Sequence, residues 1–516
     1  MSTTAARPVS TPPLSRPVAA LVGVLAVAAA VGAGQLVAGL LGPGSAPFVA
    51  VADAVIRLSP QWLTEFGKSL GPERDKLVLQ LGVAVVLLAL AVTAGLLSRT
   101  APRRGVRVVI GLGLVGLAAV LFAPTFAPLD LAAPLAALGA GVGVFHWLHG
   151  LARRVDEPAA DGPSRRTVLV GAAGGVGLAA VAGGVGGWAL GRGVVDSRAQ
   201  VTAMLRAART ATLPPLPPRA DFGTPTFHTS NADFYRIDVA LRVPSMQAAD
   251  WSLRLHGMVD RELTLTFADL MARPLVERDV TLTCVSNPVG GDLISTARFV
   301  GVELRPLLLE AGIRPGADQL FSRSVDGWYT GTPLDVLLEP DRGALLAVGM
   351  NGEALPPEHG FPVRMVVPGL YGYVSATKWV VDLEATTFAA RQAYWLERGW
   401  AERGPIKTEC RIDVPRGFAP VPPGRVTFAG VAWAQHTGIS RVELRVDDGP
   451  WQDAELSTEV SRDAWRMWRT TVDVAPGAHQ AEVRATDAHG VVQTQVRADP
   501  VPDGASGWPA FSFTAG

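Results

Sequence analysis

The stretch that most constrains the fold of this chain is Arg278–Thr296, which reads RDVTLTCVSNPVGGDLIST. Its apolar side chains Val280, Leu282 and Cys284 alternate with threonines, and this period of two is typical of a β-strand. The residues Asn287–Gly291 (NPVGG) then turn the chain out of the strand into a loop. Cys284 is therefore predicted at a strand end, where a loop leaves one side of its thiolate open to a metal. The alternative is that this cysteine is a small buried hydrophobe.

The chain has two cysteines, Cys284 and Cys410, among its 516 residues. Two cysteines in an exported protein can pair in a disulfide, and such pairing would compete with metal ligation. The sequence contains no C-x-x-C-H motif, so we expect no c-type haem. Two cysteines are also too few to hold an iron–sulfur cluster.

The segment TLTCVSNPVGG (281–291) resembles the molybdenum-ligand segment of the sulfite oxidase family, and the likeness runs from about Phe222 to Val492. In that family a single cysteine binds the metal of a molybdopterin cofactor. The resemblance therefore implies that Cys284 is the metal ligand, with one pterin for each molybdenum. Molybdenum is soft enough to favour sulfur, so a thiolate completes the sulfur-rich set begun by the pterin dithiolene. Because Cys410 falls outside the matching pattern, we interpret it as structural.

Several further segments are similar to the same family. They are NADFYRID (231–238), FVGVEL (299–304, with Phe for the family's Trp), DGWY (326–329), MNGE (350–353), HGFPVR (359–364) and TKW (377–379). The resemblance implies cofactor-binding roles for residues in and near these segments. Those residues are Asn231, Tyr235, Arg236, Asn287, Asp326, His359, Arg364, Thr377 and Lys378. Arg236 also falls where the family has an active-site arginine, which makes it the candidate catalytic residue on the substrate side.

The residue types in these segments suit a phosphate-bearing cofactor. A phosphate is dianionic, and an arginine such as Arg364 can give it a bidentate charged contact, whereas Lys378 supplies a point charge. The alternative is that both side chains form ordinary surface ion pairs. The length of the matching region favours the cofactor interpretation.

Two positions depart from the family pattern. The family's second substrate-binding arginine aligns with Val289, and its active-site tyrosine aligns with Trp400. Both changes remove polar groups that would stabilise an oxyanion. Sulfite is therefore not the expected substrate, and a neutral or bulkier oxo-substrate fits the sequence better.

The first 195 residues are strongly apolar, and they contain five stretches near the length of roughly 20 residues that a bilayer requires. The predicted membrane spans are Pro17–Leu41, Leu77–Leu97, Gly105–Ala123, Leu131–Leu148 and Thr167–Leu190. Arginines concentrate in alternate connections between these spans, which by the positive-inside rule places the N-terminus inside and everything after Leu190 outside. We therefore expect a multi-pass protein of the plasma membrane whose catalytic domain lies on the extracytoplasmic side.

The pair Arg165-Arg166 precedes the fifth apolar stretch, in the order SRRTVLV (164–170). This arrangement resembles a twin-arginine export signal. The alternative is an ordinary positive flank that only sets topology. The cofactor implied by the resemblance favours export of a folded domain, because a molybdopterin is inserted in the cytoplasm before the domain crosses the membrane.

The C-terminal region shows short alternating runs with turn signals between them, which predicts an all-β sandwich. Val426, Phe428 and Gly430 form one such run, and GVAWAQHTGISRVELRVDDGPW (430–451) resembles the immunoglobulin-like dimerisation domain of the family. The fold class predicted for the whole chain is multidomain: an N-terminal α-helical transmembrane bundle, an α+β sulfite-oxidase-like molybdopterin domain and a C-terminal all-β immunoglobulin-like sandwich. The predicted domains are residues 1–195, a proline-rich linker 196–225, the molybdopterin domain 226–412 and the sandwich 413–516.

Together these features predict a membrane-anchored, extracytoplasmic oxidoreductase that performs two-electron oxygen-atom transfer at a Cys-ligated molybdenum. The first alternative is a sulfoxide reductase of the protein-repair type, fed by a membrane electron donor. The second is a non-enzymatic cell-surface binding module that retains the fold. A small-molecule oxo-substrate and an electron-transfer partner of undetermined identity are expected, and the sandwich allows a homodimer. Basic and acidic residues balance at 46 each, so no nucleic-acid partner is expected.

Overall fold

The computed structural model describes most of the chain in two compact units. The described residues are 13–41, 45–60, 74–123, 126, 128–154, 171, 175, 197–208, 210–239, 243–418 and 420–516. One unit is drawn from Met1–Gly193 with Ala240–Ser245, and the other from Val194–Val239 with Met246–Gly516.

The first unit is helical. Its helices are α1 (Arg16–Leu41), α2 (Pro47–Leu58), α3 (Arg74–Leu97), α4 (Pro102–Leu121) and α5 (Ala132–Arg154), with a 3₁₀ turn at Pro128–Leu131. In the described part of the chain, four of them are long and apolar enough to cross a membrane: Arg16–Leu40, Leu77–Leu97, Pro102–Leu121 and Pro128–Arg153. These confirm the first four predicted stretches as helices of spanning length. The fifth, Thr167–Leu190, lies outside the described residues apart from Gly171 and Gly175.

Small residues bring the helices of this unit together. A side chain at Gly23 of α1 would collide with the carbonyl oxygen of Ala91 on α3, and one at Gly95 would collide with that of Ala19. Such close backbone approach is how apolar helices associate where no water is present to drive burial. The outer face of α3 is correspondingly apolar and exposed, with Val85 64% accessible, which suits a lipid environment.

The second unit begins with two sheets that share one core. The first sheet has the order β1 (Thr210–Ala211), β4 (Leu275–Thr283), β5 (Ile294–Glu303), β8 (Leu345–Met350) and β10 (Arg364–Val366), with β9 (Glu353–Ala354) pairing to β8. The second has the order β3 (Leu263–Thr266), β2 (Ser252–Gly257), β11 (Val380–Thr386), β6 (Gln319–Ser324) and β7 (Tyr329–Pro333). Helices accompany both sheets: α6 (197–207), α7 (Phe267–Met271), α8 (Leu304–Ala311), α9 (Leu334–Leu337) and α10 (Gly372–Ser375), with 3₁₀ turns at Ala248–Asp250, Pro357–His359 and Leu396–Arg398. This mixture is the predicted α+β architecture.

The core strands are buried on both faces. All of Val280, Thr281, Leu282 and Thr283 at the end of β4 are buried, although the alternation of apolar and polar residues there is that of a strand with one polar face. Helix α8 buries Leu304, Leu307, Leu308 and Ala311 and ends at Gly312, whose φ of 71° lies in the left-handed region that terminates helices.

The C-terminal part is a two-sheet sandwich. One sheet has the order β12 (Glu409–Val414), β14 (Gly424–Trp433), β18 (Arg466–Val474) and β17 (Glu455–Leu456). The other has the order β13 (Pro420–Val421), β20 (Ala510–Ala515), β19 (Gly477–Asp487), β15 (Ile439–Val446) and β16 (Gln452–Asp453). Phe428 and Trp468 of the first sheet contribute to the same buried cluster as Val442, Val483 and Phe513 of the second, which confirms the predicted all-β sandwich.

Helix α6 was not anticipated by the sequence. Its Val201 is buried in the core of the α+β part, and its Arg198 donates a hydrogen bond to the carbonyl oxygen of Leu355 at 3.0 Å. The proline-rich segment that follows contacts the rest of the unit: the backbone N–H of Leu213 donates to Glu277 at 2.9 Å, and Phe222 packs against a buried cluster. The predicted domain boundaries remain predictions.

Candidate active site

Cys284 follows directly on the last residue of β4, as predicted, and is half-buried. Its backbone N–H donates to the carbonyl oxygen of Leu293 at 2.9 Å, and its own carbonyl oxygen accepts from the N–H of Asn287 at 3.0 Å. The two cysteines do not form a disulfide with each other. The competing disulfide hypothesis is therefore wrong for this structure.

Asn287 closes the loop that follows the cysteine. Its buried side-chain carbonyl oxygen accepts from the N–H of Leu293 at 2.9 Å, so the loop is pinned across its base. Its amide nitrogen Nδ2 is buried and has no hydrogen-bond partner among the described residues. A buried orphan donor of this kind costs free energy unless a ligand or water accepts from it.

Tyr235 brings the cysteine and a buried arginine into one neighbourhood. Burial raises the pKa of the Tyr235 phenol far above its ordinary value, a nearby Cys284 thiolate would raise it further, and the positive charge of Arg364 opposes both. The hydroxyl of Tyr235 therefore stays protonated at neutral pH. It lies within electrostatic reach of the candidate metal ligand and the candidate phosphate ligand at once.

Arg364 is a buried cation without a carboxylate partner among the described residues. Arg364 is only 4% exposed. Its guanidinium donates to the carbonyl oxygen of His359 at 3.2 Å and to that of Met365 at 3.4 Å. Burial lowers the pKa of this guanidinium to about 10, so it remains charged at neutral pH. Its carbon Cζ also lies 5.8 Å from the ring centre of Phe299.

Lys378 and Arg236 share one carboxylate, that of Asp238. The Nζ of Lys378 donates to the Oδ2 of Asp238 at 3.2 Å and to the carbonyl oxygen of Glu358 at 3.1 Å, whereas the Nε of Arg236 donates to the same Oδ2 at 2.7 Å. Burial lowers the pKa of Lys378 to about 8. The side chain of Arg236 is 38% exposed, so this arginine faces outward more than Lys378 does.

His359 is buried between these cations and is neutral at pH 7. Burial, and then the charges of Arg364 and Lys378, lower the pKa of the His359 imidazole to about 3. Its Nε2 lies 3.1 Å from the carbonyl oxygen of Asn231, which can only accept, so Nε2 carries the proton. Asn231 is itself held by Asn351 at 2.9 Å and by Glu353 at 2.7 Å.

Gly360 shows how closely the two cations converge. Its φ is 108°, and an added Cβ would lie 3.0 Å from the Cβ of Arg364 and 3.1 Å from that of Lys378. Any other amino acid at this position would have an unfavourable backbone conformation and a Cβ too close to both side chains. The glycine thus lets His359, Arg364 and Lys378 enter the same small volume.

The remaining predicted residues border this volume. Asp326 is half-buried; burial raises the pKa of its carboxyl, and the charges of Asp238 and Lys378 both act on it. Thr377 is buried and its hydroxyl is 2.7 Å from that of Ser322, while its carbonyl oxygen accepts from the N–H of Met365 at 2.8 Å. Its side chain is thus engaged with β6, and only its backbone position connects it to the Arg364 strand.

Apolar side chains occupy both positions that depart from the family pattern. Val289 is half-buried in the cysteine loop. Trp400 is 6% exposed, and its ring lies 6.0 Å from that of Tyr373 and 6.4 Å from that of Trp395. Trp400 is therefore part of a buried aromatic cluster.

Sequence reasoning did not single out the carboxylate that organises the cations. Asp238 closes the segment NADFYRID, but nothing in the sequence shows that its partner would be Lys378, 140 positions later. Asn351 and Glu353 likewise lie in the quoted segment MNGE and hold Asn231. The only local signal for Asp238 is a carboxylate two positions after a candidate arginine.

The observed residues fit a molybdopterin. His359, Arg364 and Lys378 converge beside Asp238, and Arg364 lacks a carboxylate partner among the described residues. In the cysteine loop, the buried amide nitrogen of Asn287 has no hydrogen-bond acceptor among the described residues. An anionic group with several acceptor oxygens would pair with the Arg364 guanidinium and accept further hydrogen bonds. A half-buried thiol stands in the same neighbourhood.

Comparison with known proteins gives a consistent result. The family described as "Oxidoreductase molybdopterin binding domain" matches residues 240–395. The chain is 30% identical over 307 residues to sulfite oxidase of Gallus gallus, covering 50% of this chain and 66% of that protein. It is 31% identical over 191 residues to the uncharacterized oxidoreductase YuiH of Bacillus subtilis, covering 37% of this chain and 87% of that protein.

A solved structure, the sulfane dehydrogenase SoxCD of Paracoccus pantotrophus, aligns with a TM-score of 0.49 at 23% identity, covering 55% of this chain and 81% of that one. The chain spans 66% of the chicken sulfite oxidase and 57% of the Macaca fascicularis enzyme, so the curated relatives extend beyond the matched region.

Proposed function

The chain belongs to the sulfite oxidase family of molybdopterin-dependent oxidoreductases, and from that premise we propose that it is a membrane-anchored, extracytoplasmic enzyme that transfers an oxygen atom at a molybdenum bound by Cys284. When bound, the cofactor supplies two-electron oxygen-atom transfer. The observation that carries the proposal is the convergence of His359, Arg364 and Lys378 on one buried volume, with Tyr235 linking it electrostatically to Cys284.

Each residue has a definite task in this proposal. Arg364, with no carboxylate partner among the described residues, binds the phosphate of the cofactor through its charged guanidinium. Lys378 adds a second positive charge, while Asp238 keeps it in position. His359 is neutral, so its imidazole donates a hydrogen bond without adding to the charge of the site.

The other residues complete the binding site. Asn231, Tyr235 and Asp326 border the same volume, and Thr377 fixes the backbone beside Arg364. Asn287 lies in the cysteine loop, where its amide nitrogen could donate to a bound cofactor. Arg236 is the partly exposed member, and no second partner for its guanidinium occurs among the described residues. It therefore presents a positive charge towards an approaching substrate.

The substrate proposed here is neutral or bulky, such as a sulfoxide, because the matched positions that could stabilise an anion are apolar. Moving an unpaired anion out of water costs several kcal/mol or more. Arg236 can offset part of that cost, but Val289 and Trp400 contribute no charge or exposed hydrogen-bond donor. The second candidate runs the same chemistry in the reducing direction only: a sulfoxide reductase of the protein-repair type, fed by a membrane electron donor. The apolar pair Val289 and Trp400 is the observation that favours it.

The purified full-length protein is expected to contain one molybdenum and one pterin per chain and to turn over sulfoxides better than sulfite. Placing an arginine at Val289 (Val289→Arg) should raise kcat/KM for sulfite and leave sulfoxide turnover the same or lower, because the new charge offsets the desolvation of the anion. Metal and pterin analysis with steady-state kinetics measures both. Absence of molybdenum from the wild-type protein, or efficient sulfite oxidation with a low KM, contradicts the proposal.

Membrane anchoring and orientation are part of the same proposal. Four described helices have spanning length and composition. Together with the fifth predicted stretch, Thr167–Leu190, which lies almost wholly outside the described residues, the arginine distribution supports a topology with the N-terminus inside and the catalytic part outside. The Arg165-Arg166 pair lies outside the described residues. It is proposed to route the cofactor-loaded domain outward.

Changing both arginines of this pair to lysine is expected to strand the catalytic domain in the cytoplasm while the first four spans still insert, because lysine keeps the positive flank but not the paired signal. Protease accessibility of the catalytic domain in spheroplasts is the measurement. The double change Arg103→Lys and Arg104→Lys, in an inside connection without an export role, is the control. Unchanged external exposure would show that Arg165 and Arg166 only set topology.

A further inference from the structure

The β-sandwich is hydrogen-bonded to strand β4, which leads into Cys284. The side-chain nitrogen Nε2 of Gln435, which is buried, donates to the carbonyl oxygen of Thr281 and to the hydroxyl of Thr283, both at 3.2 Å. The backbone N–H of Trp465 donates to the Thr281 hydroxyl at 2.7 Å, and the N–H of Thr281 donates to the carbonyl oxygen of Asp463 at 2.9 Å. Two segments of the sandwich thus hold the residues immediately before the cysteine.

The sandwich also holds the loop that follows the cysteine. The Nη1 of Arg411, on β12, donates to the carbonyl oxygen of Gly291 at 3.1 Å. Gly290 approaches the sandwich as well, since a Cβ added there would lie 3.3 Å from the Cβ of Pro509. The loop tip is therefore in contact with two separate parts of the sandwich.

Arg411 is preorganised for this contact. Its side chain is 12% exposed, its Nε lies 2.9 Å from a carboxylate oxygen of Asp413, and its guanidinium carbon is 5.9 Å from the ring centre of Trp465. The ion pair and the ring restrict the guanidinium to a position beside Gly291. A hydrogen bond from a charged, immobilised donor stabilises its acceptor more than a neutral one does.

The loop's own hydrogen bonds connect its residues only to one another. The side-chain oxygen of Asn287 accepts from the N–H of Leu293 and so links the two ends of the loop. The N–H of Gly291 donates to the carbonyl oxygen of Pro288 at 2.8 Å. Both contacts are internal, so they shape the loop without fixing it to the rest of the molecule. The bond from Arg411 is an external anchor.

We propose that the sandwich domain positions the metal ligand: Gln435 and Arg411 are positioning residues that fix the strand before Cys284 and the loop after it. This inference rests on the proposed function for its consequence at the metal, but the geometry it describes belongs to the chain itself. It assigns the sandwich a task in the active site in addition to any role in dimerisation. Neither residue touches the cofactor in this proposal.

The test measures how accessible the Cys284 thiol is in the full chain purified without cofactor. Arg411→Ala should raise the alkylation rate of Cys284 roughly tenfold, because loss of one charged hydrogen bond favours loop opening by about that factor. Arg411→Lys, which keeps a charged donor near Gly291, should remain close to the wild-type rate. Buried Cys410 reports global unfolding in the same sample.

Arg466→Ala is the matched control. Like Arg411, Arg466 donates to backbone carbonyl oxygen, but its two acceptors, Ser457 at 2.9 Å and Ile439 at 2.7 Å, both lie within the sandwich. Its Cys284 alkylation rate should equal that of the wild type. An unchanged rate in Arg411→Ala, or an equal acceleration in Arg466→Ala, overturns the positioning role.

A second readout separates this inference from the proposed function. In cofactor-loaded protein, Arg411→Ala should shift the thiolate-to-metal absorption band and speed hydrogen exchange at the amides of Gly291 and Leu293, with the unfolding midpoint retained. If the wild-type chain holds no molybdenum, the proposed function fails, while the alkylation and exchange rates still decide whether Arg411 fixes the loop. An unshifted band in loaded Arg411→Ala protein overturns the consequence at the metal.

Discussion

Replacing Cys284 with serine is expected to abolish oxygen-atom transfer and to alter the electronic spectrum of the bound metal. A serine hydroxyl is a harder ligand than a thiolate and does not ionise readily at neutral pH, so it does not complete a sulfur-rich coordination set. Loss of a direct ligand should exceed the roughly 100-fold cost of disturbing residues that only support ligands. Activity, molybdenum content and the visible spectrum of the purified variant are the measurements.

Cys410→Ser is the matched control for this substitution. Cys410 is fully buried on β12, and its Sγ is 3.0 Å from the side-chain oxygen of Gln493, a contact that a serine hydroxyl can also make. Burial, and then the neighbouring Glu409, raise the pKa of this thiol well above its ordinary value, so it is not a thiolate at neutral pH. Full activity in Cys284→Ser, or an equal loss in both variants, would refute the assignment of the ligand.

The position of Cys284 could be predicted because its signals are local. A period-two run followed by Asn-Pro and Gly-Gly specifies a strand end and a loop without reference to the rest of the chain. The environment of that strand could not be predicted in the same way. Thr281 and Thr283 have the pattern of a solvent-facing side, but the structure buries them against Gln435 and Trp465, about 150 or more positions later.

For the cations of the site, too, the local signal could be predicted from the sequence but the environment could not. Their residue types indicate phosphate binding, but only the fold shows which of them already has a carboxylate. Lys378 is paired with Asp238 and Arg298 with Asp279, whereas Arg364 has no such partner among the described residues. Ion pairing between residues far apart in sequence depends on strand order and register, which no local pattern encodes.

The spanning helices were predictable for a different reason. A bilayer demands only length and apolarity, and both can be read directly from composition. Helix α6 lacks that signal: its Val201 is buried in a core whose other members lie more than 30 positions later in the sequence. Tertiary packing, not propensity, stabilises such a short helix.

Replacing Arg364 with methionine is expected to weaken cofactor binding without lowering the stability of the cofactor-free chain. The proposed phosphate contact is bidentate and charged, so its loss should weaken cofactor binding by at least about 100-fold. The cofactor-free variant should be as stable as the wild type or more stable. Methionine removes a buried charge whose desolvation costs several kcal/mol, against about 1 kcal/mol for each of the two lost hydrogen bonds.

Arg298→Met is the control, because it removes a half-buried arginine that does have a carboxylate partner. Arg298 binds Asp279 through two hydrogen bonds, at 2.9 and 2.7 Å, and the Asp279 side chain is 1% exposed. Its loss leaves that carboxylate with His228 as its one side-chain partner among the described residues and should destabilise the chain by about 3 kcal/mol. Molybdenum per chain after gel filtration and the unfolding midpoint of the cofactor-free protein are the two measurements. If Arg364→Met destabilises the chain as much as Arg298→Met does, then Arg364 stabilises the fold, and the hypothesis that it is a buried cation for binding an anionic cofactor is wrong.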